Sequence, residues 1–265
     1  MTADGVAVVS HDPALHPDLT RGADGAWLEG PGPVIREMGF AELETYDVGR
    51  IRPGSAQARL FAAQVPVDGA RVPRFAEVLR ATGDVVIDAE LKTLPDRPHL
   101  TVHPEAMADA MLAVADGAGA TGRLVVRSFD WRGLAYMRRV RPEVPLVWLT
   151  APDGVARADM WWGMKGFAGR VPEAVARAAE GAPWQAGWAP HFAALSEEDV
   201  RLAQGLGLKV LPWTVNEAGD MARLIGWGVD GLCTDRPDIA REVMQAAGLR
   251  TERPAILFPL TMMAS

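Results

Sequence analysis

Asp88, Glu90 and Lys92 stand two residues apart in the run Val85-Val86-Ile87-Asp88-Ala89-Glu90-Leu91-Lys92. On an extended strand that spacing puts all three on one face, and Ile87, Ala89 and Leu91 on the other. Three polar groups in a row on an inward face are costly unless they are paired or functional. Two readings compete. One is an internal ion pair between Glu90 and Lys92. The other is a carboxylate for a hard divalent cation beside an ammonium for a phosphate, since such cations take oxygen ligands and lysine serves phosphate as a point charge. His11-Asp12 closes the apolar run Val6 to Val9. An imidazole there can exchange a proton near neutral pH, and a histidine in an ordinary Asp-Pro turn is the competing reading.

The elements that must position these residues are read from periodicity. From about residue 75 onward, β-rich apolar runs alternate with helical patterns. The runs are 85–92, 124–128, 146–149, a short one near 185–188, 210–215 and 231–234; helices are expected over 104–118, 131–141, 172–180, 196–206, 217–227 and 237–247. Such alternation favours a parallel sheet with helical crossovers. Ser196 with Asp199 three residues on reads as a capping box, Asn216 as a cap for the helix after Val215, and Pro237 as a first-turn proline. Asp4-Gly5 is a turn dipeptide that leads into Val6 to Val9 as one arm of a hairpin. A Gly-, Pro- and Arg-rich stretch follows, with a helical piece at 36–43. The segment of roughly 13–74 reads as an insertion within a single domain, 1–265, because long loops in compact domains are usually functional or lid-like.

Composition narrows the function classes. The chain has 265 residues, 49% hydrophobic and 23% charged, with a formal net charge of −7. It contains no Lys/Arg block of the kind that tracks a phosphate backbone, so no nucleic-acid partner is expected. One cysteine, Cys233, excludes an internal disulfide and a cysteine metal cluster. No apolar stretch reaches the ~18 residues of a membrane span. The first residues lack the pattern of a signal peptide, so a cytoplasmic place is expected for the chain as written, and a periplasmic or exported one if an upstream signal was lost.

In their order, the polar signatures resemble the glycerophosphodiester phosphodiesterase family. Thr2 to Asp12 match T-x-D-G-x-x-V-V-x-H-D, and Glu90-Leu91-Lys92 matches E-x-K. Ser128-Phe129, Trp213-Thr214-Val215-Asn216 and Gly228 to Pro237 follow in register. The resemblance implies an α/β fold of the TIM-barrel type and metal-dependent cleavage of glycerophosphodiesters to glycerol phosphate and an alcohol. It makes His11 the general acid, Glu90 a ligand of Ca2+ or Mg2+, Lys92 the group that neutralises the phosphate, and Trp213 with Phe129 the lining of the substrate pocket. The family pattern also carries an H-R-G strand and an E-x-D strand before the position of Thr2. The six strand–helix units counted here, against the eight of a closed barrel, then imply a barrel lacking its first two strands. Weak turnover is expected of such a chain, and self-association as a way to cover a raw sheet edge. Alternatives are a noncatalytic remnant that binds a phosphorylated ligand or a partner chain, and a related phospholipase.

Other groups invite decoy readings. His99 and His103 are four apart, but Pro98 and Pro104 flank them, so a loop is expected rather than a helical metal pair. Trp161-Trp162, Trp184 and Trp188 are read as core or rim packing, Cys233 as an inert thiol in a strand, and the apolar tail 255–260 as a segment packed on the body.

Overall fold

In the computed structural model, residues 1–249 are described; the apolar tail at 255–260 lies outside them. These residues fall into two compact units. One comprises Met1–Val85 and Lys92–Thr121, the other Val86–Leu91 and the chain from Gly122 onward.

The first unit holds the N-terminal signature and the insertion. A 3-10 turn at Ile35–Glu37 precedes α1 (Phe40–Leu43), α2 (Ala56–Leu60), α3 (Phe75–Ala81) and α4 (Pro104–Gly117). Its core gathers Leu15, Ile35, Met38, Phe40, Leu43 and Val72, with Val6, Val8, Leu28, Tyr46 and Val48 against them. The expected hairpin is a tight turn instead. Gly5 takes φ +82°, and its N–H reaches the Thr2 carbonyl at 3.1 Å. Val8 then makes one antiparallel bridge, to Arg74. Asp4 anchors the turn by accepting the Phe40 N–H with both carboxylate oxygens, each at 3.1 Å. The helical piece read at 36–43 is split between the 3-10 turn and α1, because Gly39 between them is extended.

The second unit is a parallel sheet in the order β1-β2-β3-β4-β5. Its strands are Ile87–Glu90, Leu124–Ser128, Leu146–Thr150, Gly187–Pro190 and Lys209–Val210. The connecting helices of this unit are α5 (Trp131–Val140), α6 (Pro152–Ala156), α7 (Ala158–Trp161), α8 (Val171–Ala178), α9 (Glu197–Gly205), α10 (Ala218–Gly226) and α11 (Pro237–Ala246). The sequence-based helices agree with α4, α5 and α8 to α11 to within two residues at each end. The sixth apolar run, 231–234, forms no strand, yet it follows the sheet: Cys233 donates to Pro212 and its carbonyl accepts from Val215, both at 2.9 Å.

Caps explain several boundaries. Ser196 and Asp199 form the reciprocal capping box of α9. Asp130 starts α5 by accepting the Arg132 N–H at 3.2 Å. Asn216 does not cap α10. Its carboxamide oxygen accepts from Thr234 and from the Asp235 N–H, and its NH2 donates to Asp235. The side chain is thus spent on joining two loops, and Glu217 holds the cap position.

Side chains on the two sheet faces divide cleanly. Val125, Val147, Leu149, Ala189 and Leu211 form one apolar layer, with Val86, Phe129 and Trp213 packed against it. Register pairs Asp88 with Val125, Glu90 with Arg127 and Arg127 with Val147, so those polar side chains share the face of this layer. On the opposite face Trp188 is buried and donates to Thr150 Oγ1 at 2.9 Å. Trp162, buried, stacks on Trp131 at 4.4 Å, which is the core role expected of it. No helix among the described residues is long and apolar enough to cross a membrane.

Candidate active site

In the first unit, the chain brings together two groups 81 positions apart. His11 Nε2 lies 3.5 Å from Lys92 Nζ. His11 Nδ1 lies 2.8 Å from Asp12 Oδ1. Only a protonated ring nitrogen can face a carboxylate at that distance, so Nδ1 carries the proton and Nε2 turns its lone pair to the ammonium. The His11 side chain is 84% exposed, which leaves Nε2 open to a ligand. Lys92 follows β1 by two residues, at the carboxyl end of a parallel strand, where enzymes of the TIM class carry their chemistry. His103 and His99 do not join this group. His103 holds the N-cap position of α4, and the loop that carries His99 is pinned through its carbonyls by Arg36, which donates to Pro98, His99 and Thr101.

In the second unit, Glu90 ends β1, Phe129 follows β2, and Trp213 lies just past β5. Phe129 and Trp213 meet edge to face, with centroids 5.3 Å apart at 86°. The indole N–H is already committed to the Ala189 carbonyl at 2.9 Å, so Trp213 offers a ligand its ring surface. His191, which the sequence reading passed over, stands edge to face against Trp213 at 5.0 Å. Trp188-Ala189-Pro190 before it reads as a strand broken by proline, and this hid the alternation that places His191 on the face of Ala189.

Arg127 was also missed. Its guanidinium grips Asp88 with two parallel bonds, Nε to Oδ1 at 2.7 Å and Nη2 to Oδ2. The pairing keeps the arginine charged against the pull of burial, with Asp88 and then Glu90 among the charges that favour it. Burial pushes the half-buried Cys233 thiol up, which suits the inert role expected of it.

For a divalent cation, the described residues supply only part of a ligand set. Among the described residues, no three His, Cys, Asp or Glu side chains come together as a ligand group. Asp88 is taken by Arg127, and a hard cation prefers six or more oxygens. Glu90 is one carboxylate.

The sheet is a parallel α/β one of TIM type, and comparison with known proteins places the chain among hydrolases of phosphoric diesters. Residues 1–239 match the sequence model of the Glycerophosphoryl diester phosphodiesterase family, and the chain belongs to that family. It is 26% identical over 244 residues to the glycerophosphodiester phosphodiesterase of Bacillus subtilis (strain 168), covering 92% of this chain and 73% of the relative. Among solved structures, it resembles one described as a glycerophosphoryl diester phosphodiesterase from Silicibacter pomeroyi DSS-3, with a TM-score of 0.83 and 35% identity over 94% of this chain and 82% of that one. An Oleispira antarctica phosphodiesterase in complex with its product sn-glycerol-3-phosphate shares the fold at a TM-score of 0.61 and 18% identity, over 92% of this chain and 82% of that one.

Proposed function

We propose that this chain hydrolyses glycerophosphodiesters to glycerol phosphate and an alcohol. The reading rests above all on the His11–Lys92 approach of 3.5 Å, which puts a proton-transfer group beside a phosphate-neutralising one. A phosphodiester is anionic and a poor electrophile. Lys92 supplies fixed positive charge for the phosphoryl oxygens as charge builds on them. The acid is the doubly protonated ring: with Nδ1–H held by Asp12, His11 gives its Nε2 proton to the departing alkoxide as the P–O bond to it breaks and a water oxygen bonds to phosphorus, and the proton that water sheds restores the ring. To Trp213 and Phe129, which meet edge to face in the second unit, we assign contact with the glycerol carbons.

Glu90 is the carboxylate we assign to the divalent cation on which the family generally depends, Ca2+ or Mg2+. It would be one ligand among several such an ion takes, and none of the steps above runs through it.

Release of glycerol phosphate from glycerophosphocholine tests the reading, with and without chelator and with His11→Ala as control. The expected result is turnover that falls by about 10²-fold or more in the variant, the scale of general acid–base catalysis. Turnover indifferent to His11→Ala would overturn it.

A further inference from the structure

His191 is held more firmly than a loop residue needs to be. Its backbone N–H donates to Thr150 at 3.0 Å, and Phe192 N–H donates to Trp213 at 2.9 Å. A parallel bridge joins His191 to Trp213, continuing the sheet past β4. Gly187, Ala189 and His191 alternate onto one face, the face of the apolar layer that Phe129 and Trp213 close at its carboxyl end. The ring is fixed as well. It packs against Trp213 at 89° and lies over Phe192 with centroids 5.2 Å apart. Its Nδ1 accepts the Ala193 N–H at 3.3 Å, capping the 3-10 turn Phe192–Ala194. An accepting Nδ1 leaves the proton of the neutral ring on Nε2.

The result is a single N–H donor on a doubly braced ring, beside two aromatic surfaces, at the end of the sheet where this fold class keeps its ligands. Such a group costs little further ordering when it binds an anion. We propose that His191 is a substrate-positioning residue whose Nε2–H donates to a phosphoryl oxygen of the glycerophosphodiester, while Trp213 and Phe129 take the carbon skeleton. This inference rests on the phosphodiesterase reading above.

Two substitutions separate the two ring nitrogens. His191→Asn keeps an acceptor near Nδ1 for the Ala193 N–H and removes the Nε2 donor. His191→Gln keeps a donor near Nε2 and gives up the cap. The asparagine variant loses the ring contacts with Trp213 and Phe192 but keeps the cap, so it should melt above the glutamine variant and show KM for glycerophosphocholine raised about tenfold with kcat little altered, the value of one hydrogen bond to a charged group. The glutamine variant should melt lower and hold KM within about threefold of the parent. Imidazole ¹⁵N resonances provide a readout that does not depend on turnover. Titration with sn-glycerol 3-phosphate should move the His191 Nε2 signal, and titration with glycerol should not. A parent that turns over while His191→Asn keeps the parental KM would overturn the proposal and leave the hydrolase assignment standing. A parent without turnover would count against that assignment, and the His191 signal would then decide the proposal: movement with glycerol phosphate supports it, and a fixed signal overturns it.

Discussion

Lys92 Nζ stands 3.5 Å from His11 Nε2, with His11 Nδ1 held 2.8 Å from Asp12. The three side chains form a short charge relay in which the imidazole lies between an ammonium and a carboxylate. Removing each end should therefore do different things. Lys92→Met removes the charge meant for the phosphoryl group and should raise KM for glycerophosphocholine and lower kcat together, because that charge binds the ground-state anion and acts more strongly still as charge builds in the transition state. Asp12→Asn leaves the positive charge but weakens the hold on Nδ1–H, and should lower kcat by about tenfold with KM nearly unchanged. Steady-state kinetics on both variants distinguishes the two effects. Equal, purely KM effects in the two would deny His11 a part in proton transfer.

Asp130 carries a separate, structural prediction. Its side chain is fully buried, caps α5 through the Arg132 N–H, and takes two bonds from the Arg132 guanidinium, at 2.8 and 2.7 Å. Asp130→Ala loses the cap and leaves the guanidinium without that carboxylate, so denaturant unfolding should show a loss of about 2–3 kcal/mol. Asp130→Asn keeps an oxygen for the cap and should lose less. Equal losses would mean that the cap contributes nothing.

The contrast between Ser196 and Arg127 marks what a sequence discloses. A cap is local: the Ser196–Asp199 box of α9 is visible in the letters, and so is the proline that opens α11. Buried parallel strands read as apolar runs, which is why β2 and β3 fall where expected. The Arg127–Asp88 pair depends instead on the β1–β2 register, set by helices and loops in between. The core of the first unit is hidden for a related reason. Leu15, Ile35, Met38, Phe40, Leu43 and Val72 follow no helical or strand period and meet only through turns. His11 and Lys92 were legible through motif order, since no spacing links positions so far apart.

Acid should loosen the first unit through its carboxylates. Asp47 is held below the ordinary carboxylate value by the Gly69 and Gly49 N–H groups and then by Arg21. Asp68 is lowered further, first by Arg50 and then by Arg21. In both cases the folded state binds fewer protons than the unfolded chain. The stabilisation is thus complete above the unfolded value of 3.8 and is lost as pH falls below it through the folded values. Asp238, held to about 2 by Arg236, acts in the same sense in the second unit. Melting temperature followed by circular dichroism from about pH 6 to about pH 2 should stay flat at first and drop below about pH 4. Asp68→Asn should make the drop shallower. A melting temperature that rises on acidification would contradict this network.

Glycine substitutions should split by what a methyl group would meet. At Gly49 an added Cβ would lie 1.7 Å from the Val67 carbonyl oxygen and 2.9 Å from Ala70 Cβ. That carbonyl cannot retreat freely, because Val67 N–H is itself bonded to the Gly49 carbonyl at 2.9 Å, and Val48 N–H to Ala70 at 2.9 Å. Gly49→Ala should therefore cost about 3 kcal/mol or more, near the upper end of single-site effects. Gly219, within α10, meets nothing within 4 Å and has no positive φ. There the methyl group only restricts the unfolded chain and favours helix, so Gly219→Ala should stabilise by about 0.5–1 kcal/mol. Urea unfolding of the two variants beside the parent checks both signs at once. A tolerated Gly49→Ala would mean that the strands of backbone at 48–49 and 67–70 do not approach as closely as their hydrogen bonds require.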